Sequence, residues 1–213
     1  MSVSKQVTLI DYGAGNLLNV QRAFEHLAVD VKIATTAEEV FKAERIVFPG
    51  VGAFPEAMQQ LQSQELVEAI KESALEKPFL GICLGMQMML DSSDEFGLTN
   101  GLGLIPGQVK KLPGFSTDNV KMTIPHMGWS KIRASLTDWQ NSPFSDIPEE
   151  NAFYFVHSFY ADVKNAKDQL AVFDFGGHAI TAAIQKDNLI GCQFHPEKSG
   201  ELGLKIIQSY LQI

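Results

Sequence analysis

Cysteine is nearly absent from this chain, which holds only Cys83 and Cys192 among 213 residues. Two cysteines in a chain of this length exclude a disulfide framework and suit a reduced compartment. Cations are also scarce: 17 Lys and Arg against 25 Asp and Glu leave a formal charge of −8. Counterion release from nucleic acid needs clustered Lys and Arg, so the composition argues against a general nucleic-acid binder, and equally against an anionic membrane surface. Long hydrophobic runs are missing. The oiliest stretch, Phe79 to Leu90, is interrupted by Gly81, Gly85 and Gln87 and is too short to span a bilayer. Met1 to Asp11 lacks the apolar core of a secretory signal. Repeats, low-complexity tracts and Gly/Ser linkers do not occur. These absences leave a soluble, cytoplasmic reading, and the 45% hydrophobic, 20% charged composition suffices for one domain spanning 1–213.

What is present is an alternation of short apolar runs and helical patterns. Val7 to Ile10 and Phe79 to Ile82 read as buried strands, and Val31 to Ala34 and Arg45 to Phe48 read as strands between them. Helical patterns follow Asn16, fill Phe54 to Leu75 and resume from Met86 to Leu90; Thr36 with Glu39 makes a capping box for a short helix. The rhythm predicts an α/β fold, a mostly parallel, doubly wound sheet with helices on both faces. After residue 105 strands dominate: around Val109, Trp129 to Ile132, Phe153 to Val156, Leu170 to Phe175, Ala179 to Ile184 and Leu189 to Phe194. Gly176-Gly177 and Lys186-Asp187-Asn188 suit hairpin turns, so the C-terminal half should add antiparallel strands to the sheet. Leu204, Ile207 and Leu211 close the chain with a helix.

The chemistry concentrates in two segments. Gly81-Ile82-Cys83-Leu84-Gly85 has the Gly-x-nucleophile-x-Gly form of a sharp strand-to-helix turn, here with a thiol. A helix N-terminus favours a thiolate, and the amide of Leu84 can form half of an oxyanion hole. His195-Pro196-Glu197 supplies an imidazole and a carboxylate which, two apart on an extended segment, leave the same side. A thiol needs a base and the base an orienter, so Cys83, His195 and Glu197 can make a relay. The plain alternatives are an inert buried cysteine and a surface His-Pro-Glu turn. Pro49-Gly50-Val51-Gly52, after the third strand, can turn an amide toward the site, although Gly-rich strand-to-helix turns are common.

These blocks, with Gly85-Met86-Gln87, Phe194 and Lys198-Ser199 beside them, resemble the triad-type (class I) glutamine amidotransferases. Asp11-Tyr12-Gly13-Ala14-Gly15-Asn16, Pro125-His126-Met127-Gly128-Trp129 and Tyr154-Phe155-Val156-His157-Ser158 resemble, within that family, the glutaminase subunits of imidazole glycerol phosphate synthases of histidine biosynthesis. The resemblance covers essentially the whole chain and implies a flavodoxin-like amidotransferase fold. It implies that Cys83 attacks the side-chain amide of glutamine, His195 relays protons and Glu197 orients it. It places the oxyanion between the amides of Leu84 and Val51. Substrate contacts fall to Gln87, to Glu95 as partner of the α-ammonium, and to backbone around Gly52, His157, Ser158 and Phe159. Ammonia then passes to a (β/α)8-barrel synthase subunit in a heterodimer, with Asn16, Met127, Trp129 and Lys198 as candidates for the shared surface. No cofactor, metal, nucleic acid or membrane is implied.

Several residues keep blander readings. Gly13-Ala14-Gly15 is similar to a dinucleotide fingerprint, but Leu18 stands where the third glycine belongs, so it reads as a turn. Cys192 with His195 offers too few ligands for a metal, and strand alternation puts Cys192 on the opposite face, as a small core residue. His26 reads as structural, and His126 and His178 carry no functional signal of their own. Two rival functions remain open: a paralogous amidotransferase feeding another acceptor, such as a sugar amination in surface-polysaccharide synthesis, and a non-catalytic interaction module.

Overall fold

The computed structural model describes residues 6–13, 17–136 and 138–213. Asn16 lies outside the described residues. The N-terminal half runs β1 (Gln6–Ile10), α1 (Leu17–His26), β2 (Asp30–Ala34), α2 (Ala37–Lys42), β3 (Ile46–Gly50), α3 (Phe54–Ser63), α4 (Val67–Ala74), β4 (Phe79–Cys83) and α5 (Leu84–Met88). There follow β5 (Leu90–Ser93), β6 (Thr99–Asn100), β7 (Ile105–Lys111), β8 (His126–Ala134), β9 (Asn151–His157), β10 (Phe159–Val163), β11 (Gln169–Phe175), β12 (His178–Lys186), β13 (Leu189–Cys192) and α6 (Gly200–Tyr210). The capping box forms as expected: the Thr36 hydroxyl accepts from the Glu39 N–H, and the Glu39 carboxylate accepts from the Thr36 N–H.

Nine strands form one sheet in the order β2-β1-β3-β4-β13-β12-β11-β8-β9. Pairing is parallel from β2 to β13 and antiparallel from β13 to β9. The period-2 alternation of the parallel strands sorts their side chains onto two faces. Val7, Leu9, Val47, Leu80 and Ile82 meet Phe24 of α1 and Ile206, Ile207 and Tyr210 of α6. Ile10, Ile46, Phe48 and Phe79 meet Val40 of α2, Leu61 of α3 and Ile70 of α4. Helices therefore cover both faces, as a buried parallel sheet requires.

Two features depart from the sequence reading. The strand around Val109 does not join the main sheet; it belongs to a second sheet ordered β10-β7-β5-β6. The helix expected over Met86 to Leu90 is the single turn Leu84–Met88, and Leu90 begins a strand. The reason is competition for carbonyls. Leu102, Ile105 and Gly103 donate their N–H groups to the carbonyls of Met88, Met89 and Leu90, which ends the helix there.

Candidate active site

Adjacent parallel strands β3, β4 and β13 end together, and their carboxyl ends deliver the three sequence blocks to one place. Cys83 ends β4 with φ 55° and ψ −113°, a conformation that side chains avoid and that marks a sharp elbow. The tight turn requires Gly85: a Cβ there would overlap the carbonyl oxygen of Phe48 on β3. Leu84 is the first residue of α5, so its N–H lacks an intrahelical acceptor. The single turn of α5 adds little dipole; the groups around Cys83 matter more.

The imidazole of His195 and the carboxylate of Glu197 meet at 2.8 Å, Nδ1 to Oε1, with side chains only 5% and 1% exposed. The extended geometry expected for this pair is not what joins them. Pro196–Lys198 is a 3-10 turn that folds Glu197 back onto the ring. His195 Nε2 is buried with no hydrogen-bond partner among the described residues. Burial opposes charge on this ring, but Cys83 and Glu197 outweigh burial and hold its pKa well above the ordinary imidazole value. The sulfur itself faces the carbonyl of Val156 at 4.0 Å and the Nε2 of Gln193 at 3.8 Å.

A cleft of about 300 Å³ opens over the sulfur, lined by Val51, Gly52, Cys83, Leu84, Gln87, Glu95, Pro125, Val156, His157, Ser158, Phe159 and His195. Every residue expected to hold substrate or oxyanion lines it, as do Cys83 and His195. Val51 is 40% exposed on the loop between β3 and α3, and Gly52 takes φ +97°. One carboxylate oxygen of Glu95 accepts the Phe54 N–H at the start of α3, at 2.8 Å, which fixes the carboxylate at the cleft wall. His157 donates its Nδ1–H to the Phe159 carbonyl at 2.8 Å, and burial pushes its pKa down to about 4. It is therefore a neutral ring tied to the main chain of its own segment.

Three contributors escaped the sequence reading. Gln193 is fully buried between Gln87 and Cys83. Its signal was available: a carboxamide in the apolar run Ile190 to Phe194 must find partners. The Ser199 hydroxyl donates to the His195 carbonyl and accepts from the Tyr154 N–H. Buried Tyr12 donates its hydroxyl to the Pro49 carbonyl, 3.2 Å away, beside the Val51 loop.

Met127 and Trp129 lie on the exposed side of β8, 64% and 57% exposed. Trp129 packs edge-on to Tyr154, and the Lys198 ammonium lies 6.0 Å from the Tyr154 ring centroid. Cys192 is fully buried within the apolar core, and burial, helped by the charge of Glu197, pushes its thiol far above the usual range. Among the described residues no helix is long and apolar enough to cross a membrane.

Comparison with known proteins agrees with this geometry. The sequence profile of the family "Glutamine amidotransferase class-I" matches residues 8–211. The imidazole glycerol phosphate synthase subunit HisH 1 of Legionella pneumophila (strain Lens) is 49% identical over 97% of this chain and 99% of its own length. Subunit HisH of Nitrosospira multiformis is 41% identical over 97% of each chain. Among solved structures, PurLQS from Thermotoga maritima superposes with a TM-score of 0.73 at 17% identity, covering 97% of each chain, a likeness of fold. The thiol elbow, the His-Glu turn and these similarities lead to one conclusion: the chain belongs to the class I glutamine amidotransferase family and, within it, to the HisH subunits of imidazole glycerol phosphate synthase.

Proposed function

We propose that this chain hydrolyses glutamine at the cleft over Cys83 and delivers the ammonia to a (β/α)8-barrel synthase subunit. The observation that carries the reading is the convergence of Cys83 with the buried His195–Glu197 pair at the ends of neighbouring strands. The Cys83 sulfur adds to the side-chain carbonyl carbon of glutamine, and the new oxyanion is met by the N–H groups of Leu84 and Val51. His195, protonated, gives its proton to the departing nitrogen, the C–N bond breaks, and ammonia and a thioester remain. Water, losing a proton to His195, then attacks the thioester; the C–S bond breaks, glutamate leaves and the sulfur is restored. Glu197 keeps the ring aimed through Nδ1. Glu95 and Gln87 supply acceptors at the cleft wall for the α-ammonium, with backbone around Gly52, His157, Ser158 and Phe159 completing the pocket.

The partner surface we assign is the exposed face of β8 and β9, with Met127, Trp129 and Lys198, continuous with the cleft through Val156. The aromatic and Met side chains suit the core of an interface, and Lys198 suits its polar rim. The acceptor in the partner would yield imidazole glycerol phosphate and an aminoimidazole carboxamide ribotide, as the family's role in histidine biosynthesis implies. The test is to mix the purified chain with the histidine-pathway barrel subunit and measure ammonia release. A stable complex whose glutaminase rate rises with the barrel's substrate is expected. Absence of both complex and stimulation would assign the chain to another acceptor.

A further inference from the structure

The carboxamide network beneath the cleft can be oriented without ambiguity. A backbone carbonyl only accepts, so the Gln87 atom 2.8 Å from the Phe159 oxygen must be Nε2. The second proton of that nitrogen points to Gln193 at 2.9 Å, which must therefore present its oxygen. Gln193 is then left with Nε2 toward the sulfur of Cys83, at 3.8 Å. Each amide fixes the next, and the chain begins at a main-chain group that cannot rotate. Its consequence at the cleft is that both protons of Gln87 are engaged away from substrate. The Oε1 of Gln87 is the atom left to meet a ligand.

From this geometry we propose that Gln193 is a positioning residue of the proposed glutaminase site. It holds Gln87 with its oxygen presented to the amino-acid substrate and steadies the sulfur of Cys83 by donating to it. The inference rests on the glutaminase reading above. Gln193 is fully buried, its N–H is tied to Ala182 of β12 at 2.8 Å, and it lies outside the residues lining the cleft, so its influence passes through Gln87 and Cys83. A buried carboxamide with only one good partner would be costly, and here both ends are engaged.

Two substitutions separate the two contacts. In Gln193→Met both are lost. In Gln193→Glu an oxygen still accepts from Gln87, but the amide donor to the sulfur is replaced by an acid oxygen. In the complex with the barrel subunit, Gln193→Met should raise KM for glutamine about fivefold and lower kcat about tenfold. Gln193→Glu should keep KM within about twofold of the unsubstituted protein while kcat falls about tenfold. On the isolated chain, carbamidomethylation of Cys83 by iodoacetamide at one fixed pH should slow about fivefold in both variants. His195 and Tyr12 also feel Cys83 and are unchanged in each; Gln193→Glu adds a carboxyl beside the sulfur, so Gln193→Met is the neutral comparison. Melting curves establish that the variants fold; should Gln193→Met fail to, the alkylation rate of Gln193→Glu decides. An alkylation rate equal to that of the unsubstituted chain, or an unchanged KM in a folded Gln193→Met, overturns the proposal. If the unsubstituted complex releases no ammonia, the glutaminase reading falls instead, and alkylation still tests the contact with Gln193.

Discussion

The main-chain N–H of His195 donates to the carbonyl of Tyr154 at 2.9 Å. Ser199 closes the same junction, donating to the His195 carbonyl at 2.7 Å and accepting from the Tyr154 N–H at 3.0 Å. Tyr154 sits on the exposed side of β9 against Trp129 and Lys198. The turn that carries the imidazole thus hangs from the strand that carries the exposed aromatic face. Ser199→Ala removes both side-chain bonds of this junction. It should cost roughly 1–3 kcal/mol of stability by urea unfolding and lower the glutaminase rate. A variant as stable and active as the parent would show that the hydroxyl does not hold the turn.

Cys83→Ala should abolish both ammonia release and covalent labelling by a glutamine-like electrophile, read by intact-protein mass. Cys192 should not substitute for it, because its thiol is buried and held protonated. Ammonia release surviving the substitution would remove the thioester mechanism.

Gly85→Ala should fail more severely than its small volume change suggests. The added methyl overlaps the Phe48 carbonyl, a backbone atom of a central strand that cannot step aside. A loss of roughly 2–3 kcal/mol or more is expected, with displacement of Cys83. Thermal melting and the labelling rate of Cys83 measure the two effects separately.

His157 should make the fold sensitive to acid. Burial holds its pKa near 4 against an ordinary 6.5, with the bond to the Phe159 carbonyl opposing the shift. Between those values the unfolded chain binds a proton that the folded chain refuses. The contribution is fully present above about pH 6.5 and is lost as pH falls toward about 4. The loss amounts to roughly 3 kcal/mol when complete. His157→Phe should flatten the urea-unfolding stability over that window; an unchanged slope would assign the acid sensitivity elsewhere.

On the proposal that the amide of the exposed Val51 loop turns to the sulfur only in the complex, the isolated chain should turn over glutamine poorly and gain activity with the barrel subunit. Trp129→Ala should weaken the complex by roughly 2 kcal/mol, about thirtyfold in Kd, measured by titration calorimetry. Full turnover by the lone chain would contradict this gating, and undiminished affinity would move the interface away from β8.

The sequence alone located the residues of the proposed relay and most of the sheet that carries them. Local rules sufficed where the signal was local: the apolar runs of β1, β3 and β4, the capping box at Thr36, the hairpin glycines at 176 and 177, and the paired blocks at Cys83 and His195. Tertiary structure decided whatever depended on which distant groups compete for the same partner. It ended α5 after one turn by giving its carbonyls to residues 102–105, and it drew the Val109 strand into a second sheet. It also seated Glu197 through a 3-10 turn and placed Gln193 between Gln87 and the sulfur. A hydrogen bond between groups more than a hundred residues apart has no local period to reveal it; only the folded backbone brings its ends within reach.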